Sequence, residues 1–141
     1  MTAIATRPAR TRTVRTAGVW KAVSAATFAA AAATEALVAL ARATGVDVAI
    51  QGDDLKPGGC AVAVLLCMVA GAGVLAGVRR FAKSPARTWV RATVALTVLS
   101  FVPDLTVPDT ATSSRLVLMT AHVVAAAIVI PVVARRLSAT R

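Results

Sequence analysis

Four long apolar runs, separated by short polar segments, dominate the chain. They cover residues about 17–43, 59–78, 88–105 and 114–134. Each run is close to the ~20 residues that a helix needs to cross a bilayer. Polar residues collect between the runs and do not alternate within them, so the pattern predicts membrane-spanning helices. We therefore expect an all-α integral membrane protein, an up-down four-helix bundle.

The flanking segments complete the predicted organisation. Residues 1–16 form a basic N-terminal tail that we expect to be disordered, residues 17–136 form the transmembrane domain, and residues 137–141 form a C-terminal tail. The first run is longer than the 7–15 apolar residues of a signal peptide, and the chain stays apolar after it. The sequence therefore favours a first span over a cleaved leader.

Composition supports a membrane protein and excludes one common class of basic protein. The chain has 141 residues, 57% of them hydrophobic, with a mean hydropathy of +0.75, which is too apolar for a soluble domain of this size. The net charge is +10, but aromatic residues make up only 4% and there is no Tyr. A nucleic-acid binder would show a solvated basic face with stacking aromatics. We expect no nucleic-acid partner.

The basic residues mark one side of the predicted bundle. Thirteen of the 16 lie in the N-terminal segment, the loop between spans two and three, and the C-terminal tail. The positive-inside rule then places both termini in the cytoplasm of a multi-pass inner-membrane protein. The acidic residues outside the spans follow spans one and three. The lipid bilayer is the expected partner, with anionic headgroups at the cytoplasmic face.

Two ionisable residues fall at similar depth within predicted spans. Glu35 lies about 14 Å from the outer end of span one, and His122 about 12 Å from the outer end of span four. Such residues usually face the bundle interior and find partners. We predict a polar pocket open to the outside, centred on Glu35 and His122, with Ser100, Asp104 and Arg115 toward its rim. The alternative is that the pair only joins helices.

Small residues and cysteines add little chemistry. Gly73 and Gly77 form a GxxxG spacing in span two, which predicts close helix packing. Cys60 and Cys67 are seven residues apart, about 10 Å along a helix, too far for a disulfide. A single His argues against a His-based metal site, and we expect neither metal nor cofactor. No nucleotide loop or nucleophile motif occurs, so an enzyme is not favoured.

Several short motifs resemble a known family. They are "TGVDV" (44–48) after span one, "RTWVR" (87–91), Ser100 near the end of span three, and "TAHVV" (120–124) in span four. Over about 20–136 the chain resembles small four-span actinobacterial membrane proteins grouped as a domain of unknown function. The resemblance implies a multi-pass membrane protein without an assigned activity.

Three functions remain open from the sequence. The first is a binding or structural role, with a membrane protein partner or a second copy of the chain. The second is proton-coupled transport, because small multidrug-resistance transporters are similar in having four spans and a functional glutamate in the first, which maps onto Glu35. These transporters hold lipophilic cations with aromatic residues, and predicted span two has none. The third is a membrane enzyme that uses Glu35 and His122 as acid and base on a lipid-like substrate.

Overall fold

Four helices and one small hairpin make up the structure, a computed structural model that describes residues 10–139, with side chains described from residue 18. The helices are α1 (Arg10–Ala43), α2 (Gly59–Phe81), α3 (Pro85–Thr106) and α4 (Thr112–Ala139). Each predicted span lies within one helix. Helix α1 begins inside the predicted tail of residues 1–16, and residues 1–9 and 140–141 lie outside the described part of the chain.

The hairpin was not predicted from the sequence. Strands β1 (Ala49–Ile50) and β2 (Asp53–Asp54) pair antiparallel between α1 and α2. The two residues of the turn, Gln51 and Gly52, have φ values of 56° and 80°. Positive φ at both central residues gives the twist that a two-residue hairpin requires. The pair is so short that it depends on bonds to its neighbours, described below.

The helices alternate in direction and pack as a ring. Helix α4 lies between α1 and α3 and packs closely on both, whereas α2 contacts α1 and α3 less extensively. One apolar cluster joins the start of α1 and of α3 to the end of α2 and of α4; among its members are Val19, Leu75, Trp89 and Val133. We call this end, with residues 18–21, 79–91 and 133–139, the basic end.

A second, smaller cluster closes the other end. Val38 of α1, Cys60 of α2 and Val48 of the intervening loop are buried together, and Leu55 and Val117 pack against them. We call this the hairpin end, formed by residues 44–58 and 107–111 with the helix ends beside them. The two clusters bring the end of α1 beside the start of α2, and the end of α2 beside the start of α3.

Alanines on α1 allow close helix contact. Ala26, Ala30 and Ala31 are buried, and Ala30 has no exposed surface at all. The sequence places alanine at residues 29–33, but only one side of this run faces the other helices, because Ala29 and Ala32 are exposed. In a bilayer the hydrophobic effect contributes little to the association of helices. Small residues favour packing there because they let the helix backbones approach closely.

Large apolar side chains cover the outside of α2 and α3. The exposed ones on these two helices include Val62, Leu65, Leu66, Val69, Val94, Leu96, Val98, Leu99 and Val102. Three helical segments are long and apolar enough to cross a membrane: Gly18–Ala43, Gly59–Phe81 and Thr112–Ala139. Helix α3 is not among them, because its charged and hydroxyl residues lower its mean hydropathy. An exposed surface of this kind suits a bilayer and not water.

The two glycines predicted to mediate helix packing face open space. A Cβ atom added at Gly73 or Gly77 would meet no atom within 4 Å. Neither glycine therefore lies where two helices of this chain approach each other. Packing through Gly73 and Gly77 stays a prediction that requires a partner outside the protomer.

Replacing Ala30 by leucine tests the close approach of α1 to its neighbours. Three extra carbons at a position without exposed surface must displace packed atoms, so we expect Ala30→Leu to lower the free energy of unfolding by about 1–3 kcal/mol. Ala29→Leu is the matched control, because Ala29 is exposed on the same helix. The measurement is thermal or denaturant unfolding in detergent micelles. Equal stability of the two variants would contradict the described packing.

Candidate functional site

The carboxylate of Glu35 holds the first turn of α2. Its Oε1 accepts a hydrogen bond from the backbone N–H of Ala61 at 2.8 Å, and its Oε2 accepts one from the N–H of Gly58 at 3.2 Å. Gly58 is the N-cap residue of α2 and has no side chain that could cap the helix. In a capping box, two side chains of the helix itself bond these same two N–H groups. Here one carboxylate from another helix does both.

This contact gives the N–H groups at the start of α2 an acceptor, and the lack of an acceptor is most costly in an apolar environment. The first N–H groups of a helix have no partner within the helix, and in a bilayer each unpaired group costs several kcal/mol. The helix dipole adds about half a positive charge at the same place, which favours an anion. Glu35 lies within the apolar segment Gly18–Ala43. Its charge and the N-terminus of α2 therefore offset each other.

His122 pairs with Asp104. The Nδ1–H of His122 donates a hydrogen bond to the Leu118 carbonyl at 3.0 Å, and Oδ2 of Asp104 lies 3.0 Å from the same nitrogen. The Asp104 contact is an ion pair by distance but lacks the alignment of a hydrogen bond. The Phe101 ring meets the imidazole edge-on, with centroids 6.3 Å apart. All three partners belong to α3 or α4.

The pairing fixes which nitrogen of His122 carries the proton. Nδ1 faces two oxygen acceptors, so in the neutral ring it holds the hydrogen and Nε2 is the basic nitrogen. Within residues 18–139, Nε2 makes no hydrogen bond. The His122 side chain is 34% exposed, whereas that of Asp104 is 12% exposed. The imidazole is thus the more accessible side chain of this pair.

Arg115 binds the C-terminal end of α3. Its Nη2 donates a hydrogen bond to the carbonyl of Val107, the C-cap residue of α3, at 2.9 Å. A cation at a helix C-terminus is favoured by the helix dipole, which is negative there. Its Nε is buried and has no hydrogen-bond partner among the described residues. Arg115 therefore binds the C-terminal end of α3, and its place at the rim of a pocket stays a prediction.

Both sets of contacts occur where a short helix ends beside a longer one. Helix α1 continues for eight residues past Glu35, about 12 Å beyond the start of α2. Asp104 is two residues from the end of α3, while His122 is ten residues into α4, so α4 extends about 12 Å beyond α3. The ionisable side chains of α1 and α4 thus meet the recessed ends of α2 and α3.

Ser100 and the other hydroxyls of its face bond to their own helix. The Ser100 hydroxyl donates to the Thr97 carbonyl at 2.7 Å, and Thr93 and Thr97 make similar bonds to carbonyls three or four residues back. Such bonds satisfy the hydroxyl locally and present no donor to a ligand. Of the five residues predicted to form one pocket, the structure joins only Asp104 and His122. No hydrogen bond or ion pair links Glu35 to His122 within residues 18–139.

Ser114 and Thr110 are contacts that the sequence analysis missed. Ser114 is fully buried; its hydroxyl donates to the Asp47 carbonyl at 2.9 Å and accepts from the Ala49 N–H at 3.2 Å. Thr110 accepts from the N–H of Gln51 at 3.2 Å. Together they attach the hairpin to the start of α4. A serine near a helix start suggests a cap to that helix, and no local pattern reveals a bond to residues more than sixty positions away.

Two further contacts complete the hairpin end. The guanidinium of Arg42 donates a hydrogen bond to the carbonyl of Leu55, just before α2. The Gly52 N–H donates to the Asp109 carbonyl at 3.1 Å. Within the described side chains, no three His, Cys, Asp or Glu residues come together in the way that metal ligands would. This end is therefore a network of backbone contacts that fixes the ends of all four helices.

Comparison with known proteins identifies a family but no activity. The sequence profile of DUF6069, described as a family of unknown function, matches residues 14–139. The match covers most of the chain, so the chain belongs to this family, which agrees with the resemblance to a domain of unknown function. No curated protein and no solved structure matches the chain.

Removing the Glu35 carboxylate should open the first turn of α2. Glu35→Ala leaves two N–H groups without acceptors, at a cost of about 1–3 kcal/mol. Cys60 in that turn is buried, so its reaction with a water-soluble maleimide reports opening. In a Cys67→Ser background, we expect labelling of Cys60 to accelerate at least about fivefold.

The matched control for this experiment is Leu40→Ala. Leu40 lies on the same helix, five residues on, and is 64% exposed, so its loss should leave the labelling rate of Cys60 unchanged. Equal rates in the Glu35→Ala variant and the unsubstituted background would show that Glu35 does not hold the start of α2.

Proposed function

We propose that this chain is a four-span protein of the inner membrane, with both termini in the cytoplasm, that acts as a structural or binding component of the membrane. Three helices are apolar and long enough to span. Helix α3 has 22 residues, about 33 Å, and packs along α4, which supports a fourth span. The basic residues gathered at one end support the cytoplasmic orientation of that end.

The proposed structural role rests on one observation, which is the way the Glu35 carboxylate is bound. Both carboxylate oxygens are engaged by backbone N–H groups of α2. A transporter that exchanges a proton for substrate needs a carboxylate that alternately meets the proton and the ligand. A carboxylate whose two oxygens both accept backbone N–H groups of a helix N-terminus serves the fold instead. An acid–base enzyme would require Glu35 and His122 in one cavity, and each has separate partners.

The binding role rests on the lipid-facing side of α2. This helix makes fewer contacts than α4, and its exposed side chains include Val62, Leu66 and Val69. No atom of the protomer lies within 4 Å of a Cβ atom added at Gly73 or Gly77, so this part of the helix surface is uncovered. Small residues on an exposed side let a helix of another membrane protein, or of a second copy, approach closely. We propose a second copy as the simplest such partner.

The second candidate function is proton-coupled transport in which the pair of Asp104 and His122, and not Glu35, takes up the proton. The observation that favours it is the partly exposed imidazole, whose Nε2 is free to accept a proton while Asp104 lies behind Nδ1. A carboxylate behind a histidine fixes the orientation of the ring. This arrangement would let His122, not Glu35, take up a proton.

Proton release in proteoliposomes separates these functions. A pH-sensitive dye reports release when a panel of lipophilic cations is added to the purified, reconstituted protein. The structural role predicts no release from the unsubstituted protein. Release that is lost in Glu35→Gln would contradict it and support transport through Glu35. Release that persists in Glu35→Gln and is lost in His122→Gln would support the second candidate.

Assembly through α2 can be tested by counting subunits in a bilayer. Gly77→Leu places a large side chain where an added Cβ atom meets no other atom of the protomer within 4 Å, so we expect it to reduce an assembly of two or more copies to single copies. The measurement is stepwise photobleaching of singly labelled protein. Ala95→Leu is the control, on the exposed surface of α3, and should not change the count. Single copies of the unsubstituted protein would contradict self-assembly.

A further inference from the structure

An open groove lies between α1 and α2 at the basic end. It has a volume of about 750 Å³ and is lined by Trp20 of α1 and by Ala76, Arg79, Arg80 and Phe81 of α2. Residues 76, 79 and 80 share one face of α2, because they are three and four positions apart. Ala76 leaves room beneath the two guanidinium groups. The result is a concave surface with two adjacent cations.

The described side chains supply no carboxylate partner for these cations. All six acidic residues, Glu35, Asp47, Asp53, Asp54, Asp104 and Asp109, lie in the hairpin-end half of the fold or in its loops. Within residues 18–139, neither Arg79 nor Arg80 forms an ion pair with a carboxylate. Lys21 and Arg87 are further basic residues at the same end. Among the described residues, the two guanidinium groups of the groove therefore face no carboxylate, and an anionic ligand would complement them.

The walls of the groove have the character of a membrane interface. Trp20 is 40% exposed and Phe81 is 79% exposed. The guanidinium carbon of Arg80 lies 5.6 Å from the centroid of the Phe81 ring, which orients the cation over an apolar surface. Trp residues concentrate at the level of lipid headgroups. An aromatic wall beside paired arginines suits a ligand that carries both a phosphate and a hydrocarbon part.

We infer that this groove binds the headgroup of an anionic phospholipid, with the phosphate between Arg79 and Arg80. Guanidinium groups bind phosphate oxygens through paired N–H donors, and basic pockets between spanning helices are typical headgroup sites. The inference uses the membrane location of the chain but neither the self-assembly nor the role of Glu35 proposed above. It can therefore fail independently of them.

The hydrocarbon part has a path along the same face of α2. Ala72 lies four residues before Ala76, on the same face of the helix and toward its middle. An acyl chain can lie in this shallow track with its headgroup at the arginines. Free phosphate would gain only the guanidinium contacts. This difference separates a lipid from a soluble phosphate.

Lipid binding to the purified full-length protein tests the inference. Delipidated protein in detergent is titrated with phosphatidylglycerol, with phosphatidylcholine of the same acyl chains, or with inorganic phosphate, and bound lipid is measured by native mass spectrometry. We expect phosphatidylglycerol to bind and Arg79→Gln/Arg80→Gln to weaken its apparent affinity by up to about 30-fold, the effect of two basic residues near a membrane surface. Ala76→Trp fills the groove and keeps both charges, so it should also weaken binding.

The matched control is Arg135→Gln/Arg136→Gln. These adjacent arginines are exposed near the end of α4, at the same end of the fold, and their removal changes the net charge equally. Retained phosphatidylglycerol binding in this variant supports the groove. Equal losses in the two double variants, or unchanged binding in Ala76→Trp, would overturn it. Equal binding of phosphatidylcholine, or equal occupancy by inorganic phosphate, would overturn the assignment to an anionic lipid.

Discussion

The hydrogen bonds from the first turn of α2 to the Glu35 carboxylate are the contact on which the hairpin end depends. They allow α2 to begin about 12 Å below the end of α1, inside an apolar stretch, with its N–H groups satisfied. Because α2 begins at that depth, the connection from α1 must return over it, and Val48 and Leu55 of that connection cover Cys60. The hairpin and its bonds to Ser114 then tie this cover to α4.

The same electrostatic rule governs the other recessed helix. At the N-terminus of α2 the partner is an anion, and at the C-terminus of α3 the partner of the Val107 carbonyl is the cation Arg115, as the direction of the helix dipole requires. A charge inside an apolar span costs at least about 2.5 kcal/mol. Glu35 and Arg115 each meet a helix end that would otherwise be unpaired, so the two costs offset, whereas Asp104 and His122 pair with each other.

The sequence predicts the helices well and their polar partners poorly. Apolar runs of about 20 residues predict the four helices, because the residues of each run are enough to determine that it is a helix. The alanines on α1 predict close packing, which the structure shows at Ala30. Matched depth suggested that Glu35 faces His122, but depth does not determine which neighbour a helix face meets. One local signal was available: "KPGG" before α2 offers no capping side chain, so the acceptor had to come from elsewhere. The hairpin gave no signal, since its strands have two residues each.

The amide proton signals of Gly58 and Ala61, measured by NMR in micelles or bilayers, test the central claim most directly. A bond to a carboxylate shifts an amide proton strongly downfield, and Glu35→Gln replaces that charge by a neutral oxygen that can serve only one of the two groups. The account predicts that both signals move upfield in this variant, while the ring signals of His122 do not move. Unchanged amide signals together with shifted His122 ring signals would contradict it, because Glu35 would then face His122 and not the start of α2.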